Sequence, residues 1–191
     1  MPSPVWNVPN LLSLSRIPLA ALLGLAIGAD WWIVALVTFV VAAITDWLDG
    51  WWARRFDCQS DLGRSLDPLT DKVLIATGFI FLIPAAGSGI QPWMVAVVVV
   101  REVLITGLRG MVEAQGQSFG ADWFGKLKTV LQCAVLIGVL LVQVLRSQGV
   151  DAGIVSGLDL AVAVVLYAML AATVGSAVQY VLRGLRLIGS I

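Results

Sequence analysis

Long apolar segments separated by short polar or glycine-containing turns run through almost all of this 191-residue sequence. Hydrophobic residues make up 59% of the chain and charged residues only 13%, whereas a soluble domain carries roughly 25% charged residues. Segments of about 20 apolar residues are long enough to cross a bilayer as helices. The sequence therefore predicts an all-α, polytopic membrane protein in which residues 1–191 form a single domain.

Turn signals divide the chain into six expected transmembrane helices, separated by loops that include residues 57–64 and 148–157. The helices are expected at residues 17–28, 31–49, 66–84, 92–113, 123–145 and 158–182. Residues 7–16 are expected to form a short amphipathic juxtamembrane helix that leads into the first span, and residues 11–16 are expected to continue into that span, which is short without them. The first ten residues hold three prolines and no basic cluster, so we expect no cleaved signal peptide.

Basic residues are distributed unevenly between the two ends of the expected spans. Eleven of the twelve lysines and arginines fall on the side of the termini, and only Arg146 falls on the other side. Positive charge concentrates on the cytoplasmic side of membrane proteins. We therefore expect both termini to face the cytoplasm.

Composition also excludes several kinds of site. The chain contains no histidine, so a histidine-based triad, general base or metal ligand is excluded. Its two cysteines have no motif spacing, which argues against a thiolate metal site or a disulfide framework. The formal net charge of zero argues against a nucleic-acid partner. Any metal must be held by oxygen ligands, which favours a hard cation such as Mg²⁺ or Mn²⁺.

Four aspartates lie where apolar helices normally carry no charge. Asp46 and Asp49 end the second expected span, and Asp67 and Asp71 begin the third. Spacings of three and four residues place each pair on one helix face. The connection between the spans is short, so the helices are expected to be antiparallel neighbours. Mutual repulsion would protonate some of the carboxylates in the absence of cations, whereas two bridged divalent cations suit phosphoryl transfer.

Small residues accompany the aspartates. Gly50 and Ala53 follow Asp49, and Gly63 precedes Asp67 by one helical turn. They leave room for a flat base or a diphosphate beside the backbone. They equally permit close packing of helices in a membrane, and the glycines alone do not decide between these interpretations.

The stretch from Asp46 to Asp71 resembles the signature of the CDP-alcohol phosphotransferase family, D-x2-D-G-x2-A-R-x8-G-x3-D-x3-D. All eight fixed positions match, and the six-span layout is similar along the whole chain. The resemblance implies that a CDP-linked lipid donates its phosphatidyl group to an alcohol and that CMP leaves. The matching residues are Asp46, Asp49, Gly50, Ala53, Arg54, Gly63, Asp67 and Asp71.

The same resemblance implies individual roles. One divalent cation would be held by Asp46, Asp49 and Asp67, and a second would be shared by Asp46, Asp67 and Asp71. Asp71 would also act as the general base for the acceptor hydroxyl. The CDP pocket would be lined by Gly50, Ala53, Arg54 and Gly63.

Basic residues outside the signature bear on the acceptor alcohol. Arg101 and Arg109 lie on the fourth expected span with Glu102, and Lys126 and Lys128 open the fifth. Arginine and lysine bind phosphate well, so this group favours a phosphorylated acceptor. For the two lysines, positive-inside topology and snorkelling to lipid headgroups are an alternative explanation. Further candidates for the site are Asn7, Asn10, Arg16 and Glu102.

These segments resemble those of bacterial family members that use sn-glycerol 3-phosphate as the acceptor. The resemblance implies CDP-diacylglycerol as donor, phosphatidylglycerol phosphate and CMP as products, and a homodimer in the inner membrane with its site facing the cytoplasm. A family member with inositol phosphate or phosphatidylglycerol as acceptor stays an alternative. A divalent-cation transporter is an alternative of another class, but such sites lie at the midplane of repeated halves, and this sequence shows no internal repeat.

Overall fold

The computed structural model describes the backbone of residues 8–56, 61–114 and 123–188, and the side chains of residues 14–45, 70, 72–112 and 125–183. Within these residues the chain is helical apart from short turns, which confirms the all-α prediction. The helices of the described residues are α1 (Val8–Gly28), α2 (Trp32–Phe56), α3 (Asp61–Leu82), α4 (Pro92–Ala114), α5 (Trp123–Ser147) and α6 (Ala152–Ile188).

Apolar side chains join the helices into one bundle. Helix α1 packs chiefly against α2 and α3, α5 packs against α6 and α2, and α4 packs against α6. Helices α1 and α3 approach closely at Gly24, where a Cβ atom would lie 2.9 Å from the ring of Phe81. Small residues allow such close approaches between helix backbones. The largest fully buried apolar side chains include Leu23, Phe39, Phe79, Leu136 and Leu140.

Two helices of the described chain are long and apolar enough to cross a membrane. They are Gly125–Ser147 within α5 and Ala152–Arg183 within α6, and only 44% and 22% of these apolar stretches are buried. Leu160, Val164 and Val178 of α6 point outward with more than half of their surface exposed. A helix in the core of a soluble protein would instead be mostly buried. The exposed apolar surface is therefore that expected of a membrane protein in contact with lipid.

The polar segment before the first expected span is part of α1, which is continuous from Val8 to Gly28. The expectation that residues 11–16 continue into the first span is therefore confirmed. The segment contains no glycine that would end a helix, and α1 accommodates Pro18 without a break.

Two helices begin earlier than expected, which shortens the predicted loops before them. Helix α3 already includes residues 61–65, five residues before its expected start. Helix α6 begins at Ala152, six residues early. Asp151 caps it, since its Oδ1 accepts hydrogen bonds from the backbone N–H groups of Gly153 (2.9 Å) and Ile154 (3.3 Å). A cap of this kind stabilises a helix start by about 1 kcal/mol.

The turn between α3 and α4 is held to the bundle by Arg146 of α5. Its Nη1 donates a hydrogen bond to the carbonyl of Gly87 (3.0 Å), and its Nη2 donates to Oδ2 of Asp159 on α6 (2.6 Å). Gln143 Nε2 donates to the carbonyl of Ala86 (2.9 Å). This turn lies at the opposite end of α3 from the signature aspartates, so Arg146 has a structural role there.

Replacing Gly87 by alanine should destabilise the protein more than the same change at Gly89. Both residues have positive φ, 72° and 70°, so either alanine is strained by about 1–2 kcal/mol. Only at Gly87 would the added Cβ also lie 2.5 Å from Arg146 Nη1; at Gly89 it would meet nothing within 4 Å. Thermal unfolding in detergent should show the larger fall in midpoint for Gly87→Ala. Equal shifts would contradict the role given to Arg146.

Candidate active site

Each of the four signature aspartates lies inside a continuous helix. Helix α2 contains Asp46 and Asp49, and α3 contains Asp67 and Asp71. Residues three or four apart in a helix lie on the same side of it, as the sequence predicted for each pair. The side chains of these aspartates lie outside the described residues, so their metal contacts stay a prediction. The same holds for the other predicted residues Asn7, Asn10, Gly50, Ala53, Arg54 and Gly63.

A buried arginine of α1 packs against the aspartate segment of α3. Arg16 has 0% relative exposure, and its Nη1 donates a hydrogen bond of 3.4 Å to Thr70 Oγ1. Thr70 directly precedes Asp71 in the sequence. A buried guanidinium is costly unless hydrogen bonds and negative charge offset its loss of hydration. Arg16 therefore lies beside the helix that carries Asp67 and Asp71, and its role in a site stays a prediction.

A polar link connects this part of α3 to α4. Lys72 Nζ donates a hydrogen bond to Thr106 Oγ1. The Thr106 hydroxyl in turn donates to the backbone carbonyl of Glu102 at 2.6 Å. Lys72 follows Asp71 directly, so the aspartate segment and the charged segment of α4 lie at the same level of the bundle.

Charged side chains of α4 and α5 meet a tyrosine of α6 in a group that we call the basic cluster: Arg101, Glu102, Arg109, Lys128 and Tyr180. Glu102 Oε1 lies 3.4 Å from Arg101 Nη1 and also accepts a hydrogen bond from Lys128 Nζ. The side chains of Arg101 and Lys128 are only 8% and 6% exposed. One carboxylate thus serves two nearly buried cations, and the excess positive charge favours the binding of an anion.

Helix α6 orients both arginines of α4. Arg101 Nη2 donates to Ser176 Oγ, and Arg109 Nη2 donates to the hydroxyl of Tyr180, each at 3.1 Å. The guanidinium carbons of the two arginines also lie 5.6 and 5.9 Å from the centre of the Tyr180 ring, within the range of cation–π interactions. The sequence analysis did not select Ser176 or Tyr180. Together with Thr173 they are spaced as i, i+3 and i+7 in an apolar helix, which indicates one polar face.

Gln132 of α5 is a further buried polar residue that the sequence analysis did not select. It is 1% exposed, and its Nε2 has no hydrogen-bond partner among the described residues. Arg101 Nε is likewise buried without a hydrogen-bond partner among the described residues. Gln132 follows Lys128 by four residues and so lies on the same side of α5, a spacing that marks it in the sequence. Buried N–H groups usually have partners, so these donors are available to a polar ligand.

Lys126 stands apart from the other basic residues predicted for the acceptor. It is exposed and precedes Lys128 by two residues, so it lies on roughly the opposite side of α5. The structure thus gathers Arg101, Arg109 and Lys128 around Glu102 and Tyr180, and leaves Lys126 at the surface.

Comparison with known proteins adds an independent observation. A family model described as CDP-alcohol phosphatidyltransferase matches residues 6–181. A Bacillus subtilis protein named CDP-diacylglycerol–glycerol-3-phosphate 3-phosphatidyltransferase is 32% identical over 153 residues, which cover 72% of this chain and 78% of that protein. Proteins of the same name from Salmonella choleraesuis and Escherichia coli K12 are each 34% identical over 140 residues, 71% of this chain and 77% of theirs. The chain therefore belongs to the CDP-alcohol phosphatidyltransferase family.

Proposed function

We propose that this protein is a phosphatidylglycerophosphate synthase of phospholipid biosynthesis. It transfers the phosphatidyl group of CDP-diacylglycerol to sn-glycerol 3-phosphate and releases phosphatidylglycerol phosphate and CMP. The names of the three relatives support this donor and this acceptor. The observation that carries the choice of acceptor is the basic cluster, because its excess of buried positive charge suits a phosphorylated alcohol better than an uncharged one.

We propose that all six helices cross the inner membrane of a bacterium, with both termini and the active site facing the cytoplasm. The apolar, exposed surfaces of α5 and α6 support the membrane location. The position of Arg146 at the end of the bundle opposite the signature supports the orientation, since the other basic residues concentrate at the signature end. The family resemblance supports a homodimer of single-domain subunits.

Proteins of this family generally depend on divalent cations. We propose that this chain holds two, Mg²⁺ or Mn²⁺, through Asp46, Asp49 and Asp67 for one and Asp46, Asp67 and Asp71 for the other. The donor set fits such ions because carboxylate oxygens are the ligands that hard cations prefer. When bound, the cations neutralise the donor diphosphate and polarise the phosphorus under attack.

Side chains of the protein carry out the proton transfer and bind the donor. Asp71 takes the proton of the acceptor 1-hydroxyl. The oxygen of that hydroxyl bonds to the phosphatidyl phosphorus, and the bond from this phosphorus to CMP breaks. CMP is a good leaving group, so no covalent enzyme intermediate is required. Gly50, Ala53, Arg54 and Gly63 line the CDP pocket.

The basic cluster binds the phosphate of the acceptor. Arg101, Arg109 and Lys128 supply the direct contacts, because the structure gathers their charges around Glu102 and Tyr180. The exposed Lys126 attracts the anionic acceptor to this end of the bundle, because a surface charge raises the local concentration of an oppositely charged ligand.

The purified protein, reconstituted with CDP-diacylglycerol and Mg²⁺ or Mn²⁺, tests the proposal. We expect CMP release with radiolabelled sn-glycerol 3-phosphate, and little or none with inositol phosphate or phosphatidylglycerol. Activity with one of the other acceptors alone would place the protein in a sister branch of the family. Uptake of metal into liposomes without CMP formation would instead indicate a transporter.

The change Asp71→Asn should abolish turnover while leaving donor binding largely intact, because an amide keeps the shape of the carboxylate but does not accept a proton. Loss of a general base lowers rates by about 10²–10⁴-fold. Single-turnover CMP release and CDP-diacylglycerol binding are the measurements. Asp30→Asn is the matched control: Asp30 lies exposed in the α1–α2 turn with φ of 58°, a conformation that asparagine tolerates. An active Asp71→Asn enzyme would rule Asp71 out as the base.

The change Arg109→Ala should raise the KM for glycerol 3-phosphate by about tenfold or more, since a charge-assisted hydrogen bond contributes roughly 1.5–3 kcal/mol. The KM for CDP-diacylglycerol should change little. Arg183→Ala serves as the control, because Arg183 is exposed on α6. Steady-state kinetics with each substrate varied in turn decides the matter. Equal effects on both KM values would argue against a phosphate contact.

A further inference from the structure

We propose that Tyr180 is a positioning residue that directs Arg101 and Arg109 onto one and the same phosphate group of the acceptor. The inference rests on the proposed function, because it concerns how that reaction's acceptor is held. It adds a residue of α6 to a phosphate site otherwise built from α4 and α5.

The spacing of the two arginines on α4 does not by itself make one site. They are eight residues apart, which corresponds to a rise of about 12 Å along the helix axis and a rotation of about 80°. Yet their guanidinium carbons lie 5.6 and 5.9 Å from the centre of the same Tyr180 ring. The two arginines thus contact the same side chain of α6 although they start about two helical turns apart on α4.

Tyr180 is well placed to impose this convergence. It is 4% exposed, and its hydroxyl lies close to the start of α5, 3.7 Å from where a Cβ on Gly125 would be. The arginine side chains are long and flexible, whereas a buried tyrosine ring has few rotamers. The position of the Tyr180 ring therefore helps to set the positions of the two arginine side chains.

The charges of the cluster are only partly compensated. Glu102 pairs with Arg101 and Lys128, whereas the described contacts of Arg109 are to the neutral ring and hydroxyl of Tyr180. The positive charge of Arg109 thus has no acidic partner among the described residues. A dianionic phosphate bound by both arginines would supply negative charge to Arg109, whose guanidinium has further N–H donors beside the one bonded to Tyr180.

The ring and the hydroxyl of Tyr180 have separable roles. The hydroxyl accepts a hydrogen bond from Arg109, whereas the ring lies near both arginines. Tyr180→Phe therefore removes the orientation of Arg109 and keeps the ring, and Tyr180→Leu removes both. Tyr167→Phe is the matched control, because Tyr167 lies on the same helix, 59% exposed, and lines a cavity with Gly87 and Asp159 near the Arg146 end of the bundle.

Two measurements test the proposal. The first is steady-state kinetics with glycerol 3-phosphate and CDP-diacylglycerol varied in turn. The second is calorimetric titration of glycerol 3-phosphate and of inorganic phosphate into the full-length protein without donor. We expect Tyr180→Phe to weaken acceptor binding about threefold and Tyr180→Leu about tenfold or more, as cation–π contacts and a hydrogen bond are lost. The KM for the donor should not change, and Tyr167→Phe should behave as wild type.

A double-mutant comparison separates positioning from a general structural role. In an Arg109→Ala background, Tyr180→Phe should have a much smaller effect on the acceptor KM than in the wild type, because the hydroxyl orients Arg109. If the effects of the two changes multiply, the hydroxyl does not act through Arg109 and the proposal is wrong. Tyr180→Phe keeps the ring volume and decides the question if Tyr180→Leu does not fold.

The outcomes also distinguish this inference from the proposed function. If the wild type releases CMP with glycerol 3-phosphate and the Tyr180 variants keep its acceptor KM, the function stands and the positioning role is overturned. If the wild type releases no CMP, the function is wrong, and the titrations alone decide the positioning role. Weakened phosphate binding in the Tyr180 variants would support it, and unchanged binding, or a wild type that binds neither anion, would overturn it.

Discussion

The carboxylate of Glu102 holds two nearly buried cations together at the junction of α4 and α5. Removing a charged group from water costs several kcal/mol, and a close partner of opposite charge offsets that cost. Because Arg101 also donates to Ser176, the same interaction fixes α6 against the other two helices. Arg101 thus links the carboxylate of Glu102 to α6, and the three helices are connected by polar contacts at this end of the bundle.

The two ends of the bundle differ in how completely their charges are matched. At the α3–α4 turn, Arg146 is bonded to Asp159, to Gln143 and to a backbone carbonyl, so its donors are used within the protein. In the basic cluster, Arg101 and Lys128 share the carboxylate of Glu102, Arg109 contacts the neutral Tyr180, and Arg101 Nε is buried without a partner in the described part of the chain. Matched charges stabilise a fold, whereas unmatched buried charges mark a place where a ligand completes the arrangement.

The location of this unmatched charge suits the chemistry proposed for the protein. The outer surface of α6 is apolar and exposed, so a lipid donor need not leave the bilayer to approach the helices. The basic cluster lies at the level of the aspartate segment, as the contacts of Lys72 with Thr106 and of Thr106 with Glu102 indicate. A lipid-borne diphosphate and a soluble phosphorylated alcohol can thus meet at one end of the bundle.

The sequence by itself determined the helical class, the family and the signature aspartates, because hydrophobic segment length and fixed residue spacing are local properties of the chain. It also selected Arg16, Arg101, Arg109 and Lys128, since charge is rare in apolar helices and stands out. Only the tertiary structure decided which of these charges meet. It joined Ser176 and Tyr180 of α6 to the arginines of α4, and it left Lys126 at the surface. The physical reason is that contacts between helices depend on how each helix is rotated and packed against its neighbours, which residue spacing within a single helix does not specify.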